Sequence, residues 1–223
     1  MNIEKQYNLI GKKYVEGQKE FFSKRDDVAR KFIKICLPKN LKNRKILDIG
    51  CGHGADIRFL ESLGAKSVYG IDASRFMIDE AKKRVKNPRN LSVQNINKTK
   101  FEDSFFDVVI SRYTLHYLKK IDPAYKEISR ILKKNGIFIF VVHHPLKDFA
   151  NQKNKKYGKQ EIIKKELYGG KVSISFPTHS FKDYLSETFF RDFYIDLYEE
   201  KKTPEENQEN NLPGFMGIKA IKR

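Results

Sequence analysis

The chain has 223 residues, 39% of them hydrophobic and 33% charged, and a formal net charge of +17. That is enough chain for one soluble α/β domain with a sizeable core, and no run approaches the ~20 apolar residues of a membrane-spanning helix. Two cysteines, Cys36 and Cys51, exclude a disulfide framework and a zinc cluster. Residues 1–6 lack the apolar stretch of a secretory signal, so the expected location is cytoplasmic, with no membrane partner.

Residues 7–37 place Leu9, Phe21, Phe22, Val28, Phe32 and Ile33 at helical spacing among charges, and Pro38 ends the run. Two helices are predicted there. A strand is predicted over 45–49, a helix over 55–63 closed by Gly64, a second strand over 67–71 and a helix over 74–85. Residues 91–94 read as a third strand and 106–111 as a fourth. A helix follows over 122–132, with Pro123 in its first turn, and then the strongly apolar strand 137–142. Strand–helix alternation at this rhythm, with strands apolar throughout, gives a parallel sheet covered on both faces. After Val142 the rhythm breaks. Residues 143–180 are Lys-rich and expected to be loop-rich, and 181–189 reads as a helix. The strands 191–198 and 214–221 are joined by an exposed loop over 199–213, so they must be antiparallel neighbours.

The densest signal is Lys45-Ile46-Leu47-Asp48-Ile49-Gly50-Cys51-Gly52-His53-Gly54, a strand running into a turn with glycine at alternate positions. Bare backbone there lets a ligand lie close. Asp72 closes the second strand, eighteen residues beyond Gly54. A glycine turn after strand one and an acid after strand two form a nucleotide site in which the acid takes the ribose diol. A dinucleotide site uses G-x-G-x-x-G; here the spacing is G-x-G-x-G, with Asp48 two residues ahead of it. That acid repels a pyrophosphate and attracts an ammonium, which suits a cationic nucleoside.

Residues 47–54 resemble the first motif of the class I S-adenosylmethionine-dependent methyltransferases, of the small-molecule type. Asp72 with Ala73, Ser74 and Met77 is similar to their second motif, and residues 105–109 with 115–118 to their fourth. Residues 128–136 resemble the R-x-L-K-P-G-G run before strand five, although Lys134-Asn135-Gly136 keeps one glycine only. The likeness spans roughly 14–142 and the terminal strand pair. It implies a Rossmann-like, doubly wound, seven-stranded sheet, mostly parallel with an antiparallel C-terminal strand. The whole of 1–223 would be one such domain, with 1–40 as a helical cap and 143–180 as a substrate cover. The implied cofactor is S-adenosyl-L-methionine, leaving as S-adenosyl-L-homocysteine. The resemblance implies that Gly50, Cys51 and Gly52 line the cofactor by backbone and that Asp48 lies near its amino end. Asp72 would hold the ribose, and Ala73 and Met77 would flank the adenine. Asn95, followed by Ile96, stands where the family offers an acid to the adenine amino group. Arg112 would lie near the methionine end, and Tyr14 would cover the cofactor.

Other residues keep two readings. Cys51 reads as a small buried residue rather than a nucleophile. Asp107 reads as a turn-shaping acid rather than a cofactor contact. His116 and Tyr117 are candidate substrate contacts, with a core or pocket-wall histidine as the alternative. His143-His144-Pro145 follows strand five at the ligand-binding edge of the sheet, and His179 lies in the expected cover. His144 first and His179 second are the candidate general bases. No metal site is expected, because the histidines lack metal-ligand spacing. The expected partner is a small-molecule methyl acceptor, and the chain is expected to be a monomer or homodimer. RNA is the alternative acceptor on the strength of the charge, although only eleven of the 45 basic residues are Arg. A SAM-binding protein without catalysis is a further alternative.

Overall fold

The computed structural model describes residues 3–23, 27–202 and 211–223. In chain order, α1 (Ile3–Ser23) and α2 (Val28–Cys36) precede β1 (Lys45–Ile49) and α3 (Ala55–Ser62). Next come β2 (Ser67–Asp72), α4 (Arg75–Lys82), β3 (Leu91–Val93), β4 (Phe106–Arg112), α5 (Asp122–Ile131) and β5 (Leu132–His143). The rest comprises α6 (Pro145–Ala150), β6 (Ile162–Leu167), β7 (Val172–Pro177), α7 (Phe181–Tyr184), α8 (Glu187–Asp192), β8 (Phe193–Lys201) and β9 (Phe215–Lys222).

Seven strands form one sheet in the order β3-β2-β1-β4-β5-β9-β8. The first five are parallel, and β9 runs antiparallel to both β5 and β8. This is the Rossmann-like, mostly parallel sheet with an antiparallel C-terminal strand that the sequence predicts. Side chains alternate between its faces. Leu47, Ile49, Val109, Phe138 and Phe140 pack under α5 and α8, while Ile46, Val108, Ile110, Ile139 and Val141 pack under α2, α3 and α4. Two buried faces explain why the central strands are apolar throughout.

Three expectations need correction. Residues 143–180 are not mainly loop: β6 and β7 pair as an antiparallel hairpin outside the main sheet. Val172, Ile174 and Phe176 alternate inward, and the turn Tyr168-Gly169-Gly170 takes φ of +56°, +69° and +84°, which glycine adopts freely. The expected helix over 181–189 is two helices, because Ser180 and Asp183 close a capping box on α7 and Ser186 caps α8 afresh. The turn at 133–136 is an irregularity within β5. Leu132 already pairs with Phe106, the register shifts, and Ile137 resumes opposite Val108. Of the expected loop over 199–213, residues 203–210 lie outside the described residues, and β8 continues to Lys201.

The hairpin has its own core. Leu167, Tyr168, Ile174 and Phe176 meet Ile10, Tyr14, Phe21 and Phe22 of α1, with Tyr117 beside them. On α1, a Cβ at Gly11 would lie 2.3 Å from the Phe76 ring and one at Gly17 would lie 2.9 Å from Tyr168. Two glycines in a helix interior cost about 1 kcal/mol each relative to Ala. Here they let α1 lie tight against α4 on one side and the hairpin on the other. Among the described residues, no helix is long and apolar enough to cross a membrane.

Candidate active site

The turn after β1 is tied to the end of β2. Gly50 and Cys51 donate their backbone N–H groups to the Ile71 carbonyl at 2.8 and 3.0 Å. Gly52 donates to Asp72 Oδ2 at 2.9 Å, and Ser74 N donates to Asp72 Oδ1 at 2.8 Å. Burial raises the Asp72 carboxyl above its usual range, against these backbone donors. With Ala73 as a further backbone donor, the carboxylate still keeps an accepting lone pair, so Asp72 can also accept from a diol. Gly50 sits at φ +70°, where a Cβ would fall 2.0 Å from Thr114 Oγ1. Gly52 sits at φ +51°, and a Cβ there would meet nothing within 4 Å. Open space over bare backbone is the cradle a nucleoside needs.

Two adjoining chambers share this elbow. One, about 200 Å³, is walled by Gly50, Gly52, Asp72, Ala73, Met77, Gln94, Asn95, Ile96 and Leu118. The other, about 100 Å³, runs from Cys51 and His53 past His116 and His143 to Lys165, Tyr168 and Ile174 of the hairpin. Tyr7, Tyr14, Arg112, Tyr113 and Tyr117 wall both. Together the chambers reach the lower end of the roughly 300–1,000 Å³ of small-molecule sites.

The expected cofactor residues thus converge, with three refinements. Asp48 is 2% exposed and does not wall either chamber. Its Oδ2 is buried with no partner. Burial, then Asp56 and Asp72, raise its carboxyl well above the usual range against the pull of Arg112 and Arg30. Arg112 reaches the chambers, yet its guanidinium binds Asp56 at 2.5 Å and Asp27 at 3.0 Å, and Asp27 also caps α2. It therefore ties β4 to α2 and α3 and is not free for an incoming carboxylate. Asn95 is exposed, and its side-chain carbonyl accepts from Asn97 N at 2.9 Å, closing its own turn. Asp107 accepts from Lys45 N at 2.8 Å and from Lys133 at 2.9 Å, clipping β1 to β4 and β5.

The expected bases fall elsewhere. His144 is 1% exposed, bonds Glu200 Oε1 through Nε2 at 2.9 Å, and walls neither chamber. His179 also walls neither chamber, with Nδ1 3.3 Å from Gln160 Nε2. His143, passed over in favour of its neighbour, faces the smaller chamber. On an extended strand adjacent side chains point to opposite sides, so the strand's parity distinguishes the two histidines. Tyr7 was also missed. Its hydroxyl lies 2.6 Å from that of Tyr117, and its ring meets Tyr14 edge-on at 5.2 Å. Tyr7, Tyr14 and Phe21 recur every seven residues, two helical turns, which was the available signal. Tyr113 was missed as well; it sits at φ +55°, an uncommon conformation that marks the turn after β4.

Residues 47–140 match a family model described as "Methyltransferase domain". A ubiquinone biosynthesis O-methyltransferase of Pelagibacter ubique is 40% identical over 115 residues, covering 50% of this chain and 48% of that protein. An mRNA cap guanine-N(7) methyltransferase of Saccharomyces cerevisiae is 29% identical over 157 residues, covering 61% and 35%. The crystal structure of a putative S-adenosylmethionine-dependent methyltransferase from Listeria monocytogenes superposes with a TM-score of 0.68 at 25% identity, covering 86% of this chain and 95% of that one. The chain spans about half the length of the curated relatives it matches first. In its sheet order, its glycine elbow and the acid closing β2, the chain is similar to the class I S-adenosylmethionine-dependent methyltransferases, and residues 47–140 carry the methyltransferase domain match.

Proposed function

We propose that this protein transfers a methyl group from S-adenosylmethionine to a small molecule held in the chamber between the elbow, α1 and the β6–β7 hairpin. The 200 Å³ chamber takes the adenosine, with Asp72 on the ribose and Ala73, Met77 and Ile96 around the base. Asp48, buried beneath the elbow, would act on the cofactor's ammonium by its charge, because a cation above it favours the ionised carboxyl against burial. When bound, S-adenosylmethionine supplies a methyl group on a positively charged sulfur. The chain's residues contribute position and a dry enclosure. Helices from 1–40 and the hairpin from 143–180 serve as the cover and select the acceptor.

The observation that carries this reading is the continuity of the two chambers across Gly50 and Gly52 beneath four tyrosines. The smaller chamber's size and its hairpin wall of Leu167, Tyr168 and Ile174 favour a small acceptor. The name of the Pelagibacter relative, an O-methyltransferase of ubiquinone biosynthesis, points the same way. The net charge of +17 and the cap methyltransferase relatives favour RNA instead. Incubating the protein with labelled cofactor and either an extract's metabolites or its RNA separates them. Label is expected in the metabolite fraction at a yield insensitive to added salt. Label in RNA, lost steeply with salt, would replace this reading with the other.

A further inference from the structure

We propose that His143 is the proton acceptor of the transfer and that Asp148 positions it, so the acceptor molecule carries its reacting atom as O–H or N–H. This rests on the methyl-transfer reading above. His143 closes β5 at the wall of the smaller chamber and is 7% exposed. Its Nδ1 is buried without a hydrogen-bond partner and faces Asp148 Oδ1 at 3.8 Å. Asp148, on α6, is 3% exposed, and its Oδ2 has no partner either. A closure of about 1 Å makes the pair a hydrogen bond, and such contacts in substrate-free sites are often long. With Nδ1 turned to Asp148, Nε2 is the nitrogen left for the chamber. The ring's plane is fixed by His116, stacked at 4.4 Å and 12°, and by Phe176 edge-on at 4.7 Å.

The chemistry balances. The acceptor oxygen or nitrogen forms the bond to the methyl carbon, the carbon–sulfur bond breaks, and its electron pair stays on sulfur. The acceptor's proton passes to Nε2 of His143, and the resulting imidazolium faces the Asp148 carboxylate. Burial, then Lys165 and His116, hold the His143 imidazole well below its usual range, which keeps the ring in the neutral, accepting form. Burial raises Asp148 to about 7, offset by Lys165 from the hairpin and Lys147 on its own helix, and Tyr184 of α7 faces the same carboxyl. An ionised Asp148 is therefore available above neutrality as the counter-charge for the proton that His143 takes.

The test uses the full chain with S-adenosylhomocysteine bound. Long-range ¹⁵N NMR, with His143→Gln to assign the signal, is expected to find His143 neutral with its proton on Nδ1. A proton on Nε2 overturns the proposal. Transfer of labelled methyl into extract metabolites is expected to fall by about 100-fold or more in His143→Gln, with S-adenosylhomocysteine affinity within twofold of wild type. Undiminished incorporation also overturns it. The wild-type rate is expected to rise with pH through about 7, and Asp148→Asn, which retains a hydrogen-bond acceptor, is expected to lose that rise. A rise that survives in Asp148→Asn removes Asp148 from the role. Absence of any incorporation by the wild type strikes the methyl-transfer reading itself, whereas the tautomer is read independently of it.

Discussion

The proposed cofactor cradle and the proposed cover are built on different principles. The cofactor half uses backbone: the elbow's glycines, the Ile71 carbonyl that accepts from Gly50 and Cys51, and an acid whose oxygens are held by backbone N–H groups. All lie at the carboxyl ends of adjacent strands, where the parallel sheet fixes them. The cover uses side chains from distant stretches, with Tyr7 and Tyr14 from α1, Tyr117 after β4 and Tyr168 at the hairpin tip. A backbone site tolerates little change in its few glycines and acids, whereas an aromatic cover can exchange residues to suit a new acceptor.

Substitutions in each half can break or sharpen that contrast. The largest expected effect is in the cover. Asp148 has a folded pKa near 7 against 3.8 for a free side chain, so between those values the folded chain holds a proton that the unfolded chain has released. Stability therefore falls as pH rises through that window, by up to about 4 kcal/mol. Asp148→Asn is expected to melt higher than wild type at pH 8 and together with it at pH 4, as thermal scans will show. Equal melting at pH 8 would mean that the carboxylate is not strained by burial. In the cofactor half, Gly50→Val drives a Cβ into Thr114 at a left-handed φ. A loss of about 3 kcal/mol is expected in urea unfolding, with no measurable S-adenosylhomocysteine binding.

Asp72→Ala is expected to weaken S-adenosylhomocysteine by about 2 kcal/mol, roughly 30-fold, in calorimetry. An unchanged dissociation constant would remove the diol contact. Tyr7→Phe breaks one hydroxyl pair at the rim. It should cost about 1 kcal/mol of cofactor affinity or less, separating a cover residue from a cradle residue. Leu9 is 85% exposed on the outer side of α1. Leu9→Lys is expected to shift stability by no more than about 0.5 kcal/mol.

The same contrast explains what could be read from the sequence. Strands β1, β2, β4 and β5 and the elbow were legible because strand ends, glycine spacing and Asp72 are local signals. The hairpin was not, since the lysines of β6 mask its alternation and Gly169-Gly170 alone marks the turn. Its inward face also packs on α1, about 150 residues away, a contact with no local trace. His143 and His144 are adjacent in sequence, and only the strand's orientation tells which one meets the chamber. Arg112 reaches both chambers from the end of β4, but its pairing with Asp27 and Asp56 depends on three separate elements meeting.

A crystal structure with sinefungin bound would weigh directly on the claim that the glycine elbow and Asp72 cradle the nucleoside beside the His143 chamber. Ribose oxygens within hydrogen-bond distance of Asp72 and the amine-bearing end beside Gly50, opening toward His143, are the expected result. Sinefungin seated anywhere else, or Asp72 left without a ribose contact, would contradict it.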